Sequence, residues 1–66
     1  MIASQVKEIM EDQGVTMREL VNRTGLSMQT VNRARGNMIG RCTLETLAVI
    51  AAALGAKTKD LYREES

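Results

Sequence analysis

Residues 14–37, GVTMRELVNRTGLSMQTVNRARGN, contain the strongest secondary-structure signals in the chain. This stretch carries the same helix-start signature twice, eleven residues apart. At the first copy, Thr16 and Glu19 have capping-box spacing, in which the hydroxyl and the carboxylate each accept the other residue's backbone N–H. At the second copy, Ser27 stands at the equivalent point and Thr30 replaces the acidic partner. The pattern predicts two short capped helices.

Gly25 lies between these two helices, where it can adopt the left-handed conformation that ends a helix. The apolar spacing gives each helix an inward face, formed by Leu20, Val21 and Thr24 on the first and by Val31 and Ala34 on the second. Helices this short are not stable alone in water. We therefore expect a helix-turn-helix unit that packs on further helices.

The flanking sequence predicts three more helices. They run over about 4–13, from a cap at Thr43 to Gly55, and near 58–62. Residues 36–42, GNMIGRC, form a predicted loop, and we expect residues 63–66 to fray. The prediction for residues 1–66 is one compact, all-α domain of five helices, with the helix-turn-helix at helices 2 and 3.

Composition excludes several classes of protein. A single cysteine and no histidine rule out an internal disulfide framework and leave no zinc-ligand set. No signal peptide is visible, and the apolar run at 48–56 is too short to span a bilayer. Paired catalytic carboxylates and a phosphate-binding glycine loop are also missing from the sequence. We expect a cytoplasmic, nucleoid-associated protein with no enzymatic activity, cofactor, metal, small-molecule ligand or membrane contact.

The net charge is only +1, but the charges are unevenly distributed along the chain. Five of the six arginines lie between residues 16 and 43, where Glu19 is the one acidic residue, so this stretch carries +4. The flanking stretches 1–15 and 44–66 carry −2 and −1. The planar fork of arginine fits phosphates and guanine edges better than lysine does. This segregation favours a nucleic-acid partner.

The outward face of the second helix of the pair is polar and cationic. With Val31 as the inward direction and about 100° per residue, Gln29 and Arg33 point outward and are flanked by Thr30 and Asn32. Amide side chains can pair with adenine, and arginine with guanine, in the major groove. The face is therefore predicted to contact the edges of base pairs.

Two further residues begin this helix. Ser27 and Met28 lie at its N-terminus, where backbone N–H groups favour a phosphate. Met28 has two alternatives, contact with a thymine methyl group or packing inward against the preceding helix.

Over nearly its whole length the chain resembles the Cro/C1-type helix-turn-helix family of phage repressors and related bacterial regulators, also called the XRE family. The resemblance rests on TMRELV at 16–21, TGLS at 24–27, TVNR at 30–33, Gly36, the spacing of Leu44, Leu47, Ile50, Leu54 and Gly55, and Asp60-Leu61. It implies a five-helix, lambda-repressor-like domain. It also implies a small transcriptional regulator, of a phage or mobile element, that binds double-stranded operator DNA as a homodimer.

The resemblance also assigns site residues. The expected DNA base contacts are Ser27, Met28, Gln29, Asn32 and Arg33. The expected DNA phosphate contacts are Met17, Arg18, Thr30, Asn37, Gly40 and Arg41. Met17 departs from the family, which commonly has glutamine there, so its backbone N–H would have to make the contact.

Arg35 is a second departure, because the family often has a glutamate there that pairs with a basic residue on helix 1. Here the charges are reversed, since helix 1 offers Glu8, Glu11 and Asp12. We hypothesise that Arg35 pairs with helix 1, a structural role; a phosphate contact is the alternative.

Two questions stay open at the level of sequence. Either the loop with Met38 and Ile39 or the C-terminal segment with Leu61 and Tyr62 could form the dimer contact. An alternative function is a protein-interaction module with the same fold, such as an antitoxin-like partner binder. The segregated arginines and the lack of aromatic residues on the second helix of the pair argue against that alternative.

Overall fold

Three of the four α-helices in residues 1–65 begin directly after a threonine or serine whose hydroxyl caps them. The computed structural model describes residues 1–65, which contain four α-helices and one two-stranded sheet. In chain order the elements are β1 (Ile2–Ser4), α1 (Val6–Gln13), α2 (Met17–Thr24), α3 (Met28–Arg35), a 3₁₀ segment at Asn37–Arg41, α4 (Leu44–Ala53), a second 3₁₀ segment at Thr58–Leu61, and β2 (Tyr62–Glu64).

The predicted caps of α2, α3 and α4 are confirmed. At α2, the Thr16 hydroxyl accepts from the Glu19 N–H at 3.1 Å, and the Glu19 carboxylate accepts from the Thr16 N–H at 3.2 Å. At α3, the Ser27 hydroxyl accepts from the Thr30 N–H at 3.1 Å. Thr43 caps α4 in the same way. Each cap satisfies an N–H group that the helix itself leaves without a partner.

One apolar cluster holds these helices together. Its buried members are Val6, Met10, Val15, Leu20, Val31, Ala34, Ile39, Leu47, Ile50, Ala51, Leu54 and Leu61. Every helix contributes at least one of them, so helices that are too short to be stable alone share a single core. The predicted inward pair on α3, Val31 and Ala34, is completely buried.

The prediction of an all-α fold with five helices is wrong at the C-terminal end of the chain. Thr58–Leu61 makes one 3₁₀ turn, in which the Asp60 carboxylate accepts the Lys57 N–H at 3.0 Å. Tyr62–Glu64 then continues as β2, which pairs antiparallel with β1 and places Ser4 opposite Tyr62. Because that pairing engages the backbone in an extended conformation, a fifth α-helix cannot continue there.

The two ends of the chain are also tied together beyond the paired strands. The Glu65 N–H donates to the Met1 carbonyl oxygen at 2.7 Å, and the Gln5 N–H donates to the Leu61 carbonyl oxygen at 2.7 Å. The predicted fraying is therefore wrong for residues 63–65, and Ser66 lies outside the described residues.

Ser4 connects three elements and moves the start of α1. The sequence predicts a helix from about residue 4, but Ser4 belongs to β1 and α1 begins at Val6. The Ser4 hydroxyl accepts from the Val6 N–H at 3.2 Å and donates to the Ala34 carbonyl oxygen at 2.6 Å. One side chain thus bonds the first N–H of α1 and joins it to the end of α3.

Substitution of Gly25 tests the left-handed backbone conformation of the turn between α2 and α3, and Gly36, at the end of α3, is the control. Gly25 has a φ of 74°, which a Cβ disfavours, whereas Gly36 is extended and an added Cβ would meet only the Asn32 carbonyl oxygen at 3.7 Å. We expect Gly25→Ala to lower the free energy of unfolding by about 1 kcal/mol. We expect Gly36→Ala to be neutral or to raise it by about 0.5 kcal/mol. Urea unfolding of both variants measures this, and equal effects would contradict the assigned turn geometry.

Candidate nucleic-acid interface

The turn between α2 and α3 is three residues long and is held by local hydrogen bonds. The Gly25 N–H donates to the Val21 carbonyl oxygen at 2.8 Å. The Thr24 hydroxyl donates to the Leu20 carbonyl oxygen at 2.8 Å and accepts from the Leu26 N–H at 3.1 Å. Sequence reasoning placed Thr24 on the inward face but missed this bridge from the end of α2 into the turn. A hydroxyl residue directly before the turn glycine was the available signal.

The outward face of α3 presents the side chains that the sequence predicts. Because Val31 and Ala34 are buried, the helical period places Gln29, Asn32 and Arg33 on the other side, where all three are exposed. An amide, a second amide and a guanidinium therefore stand together on one helix face, with both hydrogen-bond donors and acceptors available to a partner.

Met28 is the first residue of α3 and is 48% exposed. About half of the side chain is therefore available for contact with a thymine methyl group, and both alternatives stay open. The side chain lies on the surface at the same end of the helix as Gln29.

The N-terminus of α3 combines a cap with free backbone donors. The Ser27 and Thr30 hydroxyls are 2.9 Å apart, and Ser27 is exposed while Thr30 is half-buried. Ser27 therefore already has a structural role in addition to the predicted base contact. The N–H groups of Met28 and Gln29 have no partner within the helix, since the first turn of any α-helix lacks acceptors for them. They form a potential anion site.

The predicted phosphate contacts lie on the elements on either side of α3, which packs against both α2 and the Asn37–Arg41 segment. Arg18, Asn37, Gly40 and Arg41 are exposed. Met17 is half-buried against the core, so only its backbone N–H is available to a phosphate, as its sequence suggested.

Some arginines of this region form salt bridges or hydrogen bonds within the protein, and others form no salt bridge within residues 1–65. The Arg23 guanidinium lies 3.6 Å from the Glu19 carboxylate and donates to the Ala53 carbonyl oxygen at 3.3 Å. It therefore links α2 to the end of α4. Arg18, Arg33 and Arg41 make no salt bridge within residues 1–65. Their charges remain available to an external anion.

The hypothesis that Arg35 pairs with helix 1 is wrong. Within residues 1–65 Arg35 makes no salt bridge, and its buried Nε has no hydrogen-bond partner. The reason is the orientation of α1, whose Val6 and Met10 face the core. Glu8 and Asp12 follow them by two residues, or about 200°, and so point away from the core; both are exposed, as is Glu11.

Cys42 lies next to the Asn37–Arg41 segment and is half-buried. Burial raises the pKa of the Cys42 thiol, and the positive charge of Arg33 partly opposes this by lowering it. The thiol is therefore neutral at neutral pH, and Arg33 is close enough to Cys42 for its charge to act there.

Among residues 1–65, no group of three His, Cys, Asp or Glu side chains could hold a metal ion. Each helix within residues 1–65 falls short of the combined length and hydrophobicity that a membrane span requires.

Comparison with known proteins gives two findings. The sequence model of the Cro/C1-type helix-turn-helix DNA-binding domain matches residues 5–64 of this chain. The chain is also similar to the SPbeta prophage-derived uncharacterized HTH-type transcriptional regulator YotL of Bacillus subtilis strain 168. The two are 31% identical over 61 residues, which cover 92% of this chain and 76% of that regulator.

Ser27 and Thr43 allow capping to be separated from DNA contact, because their hydroxyls cap α3 and α4 in the same geometry. We expect Ser27→Ala and Thr43→Ala each to lower the free energy of unfolding by about 1 kcal/mol. Ser27→Asn should keep most of the stability, since asparagine is also a good cap. Urea unfolding measures all three. If Ser27→Ala were as stable as the wild type, the capping role of its hydroxyl would be refuted.

Proposed function

Because this chain belongs to the Cro/C1-type helix-turn-helix DNA-binding domain family, we propose that it binds a specific operator in duplex DNA and regulates transcription there. The observation that carries the proposal is the exposed polar and cationic face of α3, opposite the buried Val31 and Ala34. A helix end with such a face fits the major groove. By its similarity to a prophage-derived regulator, the protein is proposed to serve a phage or mobile element.

In the proposed complex α3 supplies the base contacts. Arg33 pairs with guanine O6 and N7, and Gln29 or Asn32 pairs with adenine N6 and N7. Met28 contacts a thymine methyl group, for which its surface position is suited. Ser27 contacts the same groove from the cap position, with its remaining hydrogen-bonding capacity.

Phosphate contacts surround this helix in the proposal. The N-terminus of α2 contributes the Met17 N–H and the Arg18 side chain, and Thr30 contributes from α3 itself. Asn37, Gly40 and Arg41 contact the backbone of the DNA from the 3₁₀ segment. Since Arg35 makes no salt bridge within residues 1–65, we also assign it to a phosphate.

A two-fold operator completes the proposal. One copy offers only a few cationic phosphate ligands, which limits the affinity of a monomer for DNA. Two copies on half-sites one helical turn apart, about 34 Å, double these contacts and match the symmetry of a palindrome. We therefore propose that the chain acts as a homodimer on DNA.

Substitution of the base-contacting residues tests the specificity of binding. We expect Arg33→Ala or Gln29→Ala to weaken binding to the preferred sequence by about 1–3 kcal/mol and to relax the preference at one base pair of each half-site. Arg63→Ala is the matched control, because Arg63 is exposed on β2, pairs with Glu65 at 3.5 Å and is not one of the proposed DNA contacts. Fluorescence anisotropy with a set of single-base operator variants measures both effects. An unchanged preference in Arg33→Ala would remove α3 as the base-contacting element.

Substitution of a phosphate ligand should have a different signature. We expect Arg41→Ala to weaken binding to all sequences alike, because a phosphate contact carries no base information. The slope of log affinity against log salt should fall by about one unit for each bound copy, since one fewer counterion is released. Titrations at three or more salt concentrations measure this slope. A sequence-dependent loss would instead mean that Arg41 contacts a base.

A further inference from the structure

Two hydroxyl groups meet at the start of α3, among the proposed DNA contacts. The Ser27 and Thr30 hydroxyl oxygens are 2.9 Å apart and share a hydrogen bond in which either oxygen can be the donor. The Ser27 oxygen also accepts the Thr30 N–H at 3.1 Å. Ser27 is exposed and Thr30 is half-buried. Within residues 1–65 these two bonds are the only ones that either hydroxyl makes.

The hydrogen-bonding capacity that this pair retains for DNA follows from counting protons and lone pairs. Each hydroxyl has one proton and two lone pairs. The mutual bond uses one of the two protons, so the pair can donate to DNA only once. The bond from the Thr30 N–H uses one lone pair of Ser27. Ser27 and Thr30 therefore cannot both donate to DNA, and the direction of their mutual bond decides which of them does.

The two directions of the mutual bond leave different groups free. If Thr30 donates to Ser27, both lone pairs of Ser27 are occupied, so Ser27 can only donate to a base. Thr30 then has no proton for a phosphate. If Ser27 donates to Thr30, the Thr30 proton is free for a phosphate. Ser27 then retains one lone pair and no proton, so it can only accept from a base.

A phosphate beside Thr30 selects the second direction. Hydrogen bonds to an ionised oxygen are roughly twice as strong as those between neutral groups, so the free proton of the pair stabilises the complex more at a phosphate than at a base. In the first direction a lone pair of Thr30 would face the anionic oxygen instead. In the second direction every bond points the same way, from the base through Ser27 and Thr30 to the phosphate. Such aligned chains of hydrogen bonds polarise and strengthen one another.

We propose that the DNA backbone sets the base preference of Ser27 through Thr30. The inference rests on the proposed function, in which Thr30 contacts a phosphate and Ser27 contacts a base, and it names the chemical class of that base. The major-groove donors are the N6 amino group of adenine and the N4 amino group of cytosine. Ser27 therefore faces adenine or cytosine. Guanine and thymine are rejected, because they present no donor in that groove.

The start of α4 repeats the same hydroxyl geometry in residues that are not proposed DNA contacts. The Thr43 and Thr46 hydroxyl oxygens are 3.0 Å apart, and the Thr43 oxygen accepts the Thr46 N–H at 3.1 Å. Thr43 is exposed and Thr46 is half-buried, as are Ser27 and Thr30 respectively. The geometry alone is thus a form of helix capping. Thr46 is therefore a matched control for Thr30.

Selection of bound sequences from a random duplex pool tests the inference with the full chain and its variants. Ser27→Gly removes the hydroxyl at little cost to the cap, so the one base whose preference it abolishes is the base that Ser27 contacts. Thr30→Val removes the Thr30 hydroxyl but keeps the N–H that Ser27 accepts. Thr30→Ser keeps a hydroxyl, and Thr46→Val is the control. Relative preferences among duplexes do not depend on the fraction of folded protein, so a small loss of stability leaves this measurement unaffected.

We expect the wild-type motif to have adenine or cytosine at the base that Ser27→Gly identifies. In Thr30→Val the Ser27 proton is released, so Ser27 can donate as well as accept, and the preference at that base should be lost while the other positions keep theirs. Affinity for the preferred sequence should fall about tenfold for each bound copy, because a hydrogen bond to a charged group is lost. The salt slope should not change, since threonine is uncharged. Thr30→Ser and Thr46→Val should match the wild type within about twofold.

Several outcomes would overturn the inference while leaving sequence-specific binding intact. They are guanine or thymine at the Ser27 base of the wild-type motif, an unchanged preference there in Thr30→Val, and equal effects of Thr30→Val and Thr46→Val. A motif that Ser27→Gly leaves unaltered would do the same, because Ser27 would then contact no base. If the wild type enriches no motif, the proposed function itself fails, and the inference fails with it.

Discussion

The burial of Val31 and Ala34 fixes the orientation of α3, the helix on which the proposed function depends. Both side chains are completely buried in a core that every other helix shares. Since an α-helix turns by about 100° per residue, burying this one face turns Gln29 and Arg33 outward without any further contact. Eight residues are too few for a helix to persist alone in water, so the same two contacts also keep α3 folded. The candidate DNA face is thus a consequence of the packing behind it.

The ends of the chain stabilise this arrangement from the far side. β1 and β2 lie near opposite ends of the chain and pair with each other. The Ser4 hydroxyl of β1 donates to the Ala34 carbonyl oxygen at the end of α3. Because Ala34 is also one of the two buried residues of α3, the sheet supports the same part of the helix that the core holds.

Much of this architecture could be predicted because its signals are local. Capping at Thr16, Ser27 and Thr43 depends on residues three apart, and the inward faces follow from helical spacing. The sheet could not be predicted in this way, because its three-residue strands have no recognisable period and pair only through contacts between the two ends of the chain. The predicted ion pair between Arg35 and helix 1 was wrong for a related reason. The sequence shows the acidic residues of α1, but it does not show which side of α1 faces α3. The DNA contacts proposed for individual residues are inferred from the exposure and the chemistry of their side chains. Measurements of DNA binding test them.

Selection of bound sequences from a random duplex pool, at two salt concentrations, tests whether α3 confers sequence-specific DNA binding. We expect an enriched palindrome whose half-sites lie about one helical turn apart and whose sequence persists at the higher salt. Uniform, salt-sensitive recovery without an enriched motif would contradict it, because binding would then depend on phosphate contacts alone. No recovery at either salt would contradict DNA binding itself and favour a protein partner for the exposed face of α3.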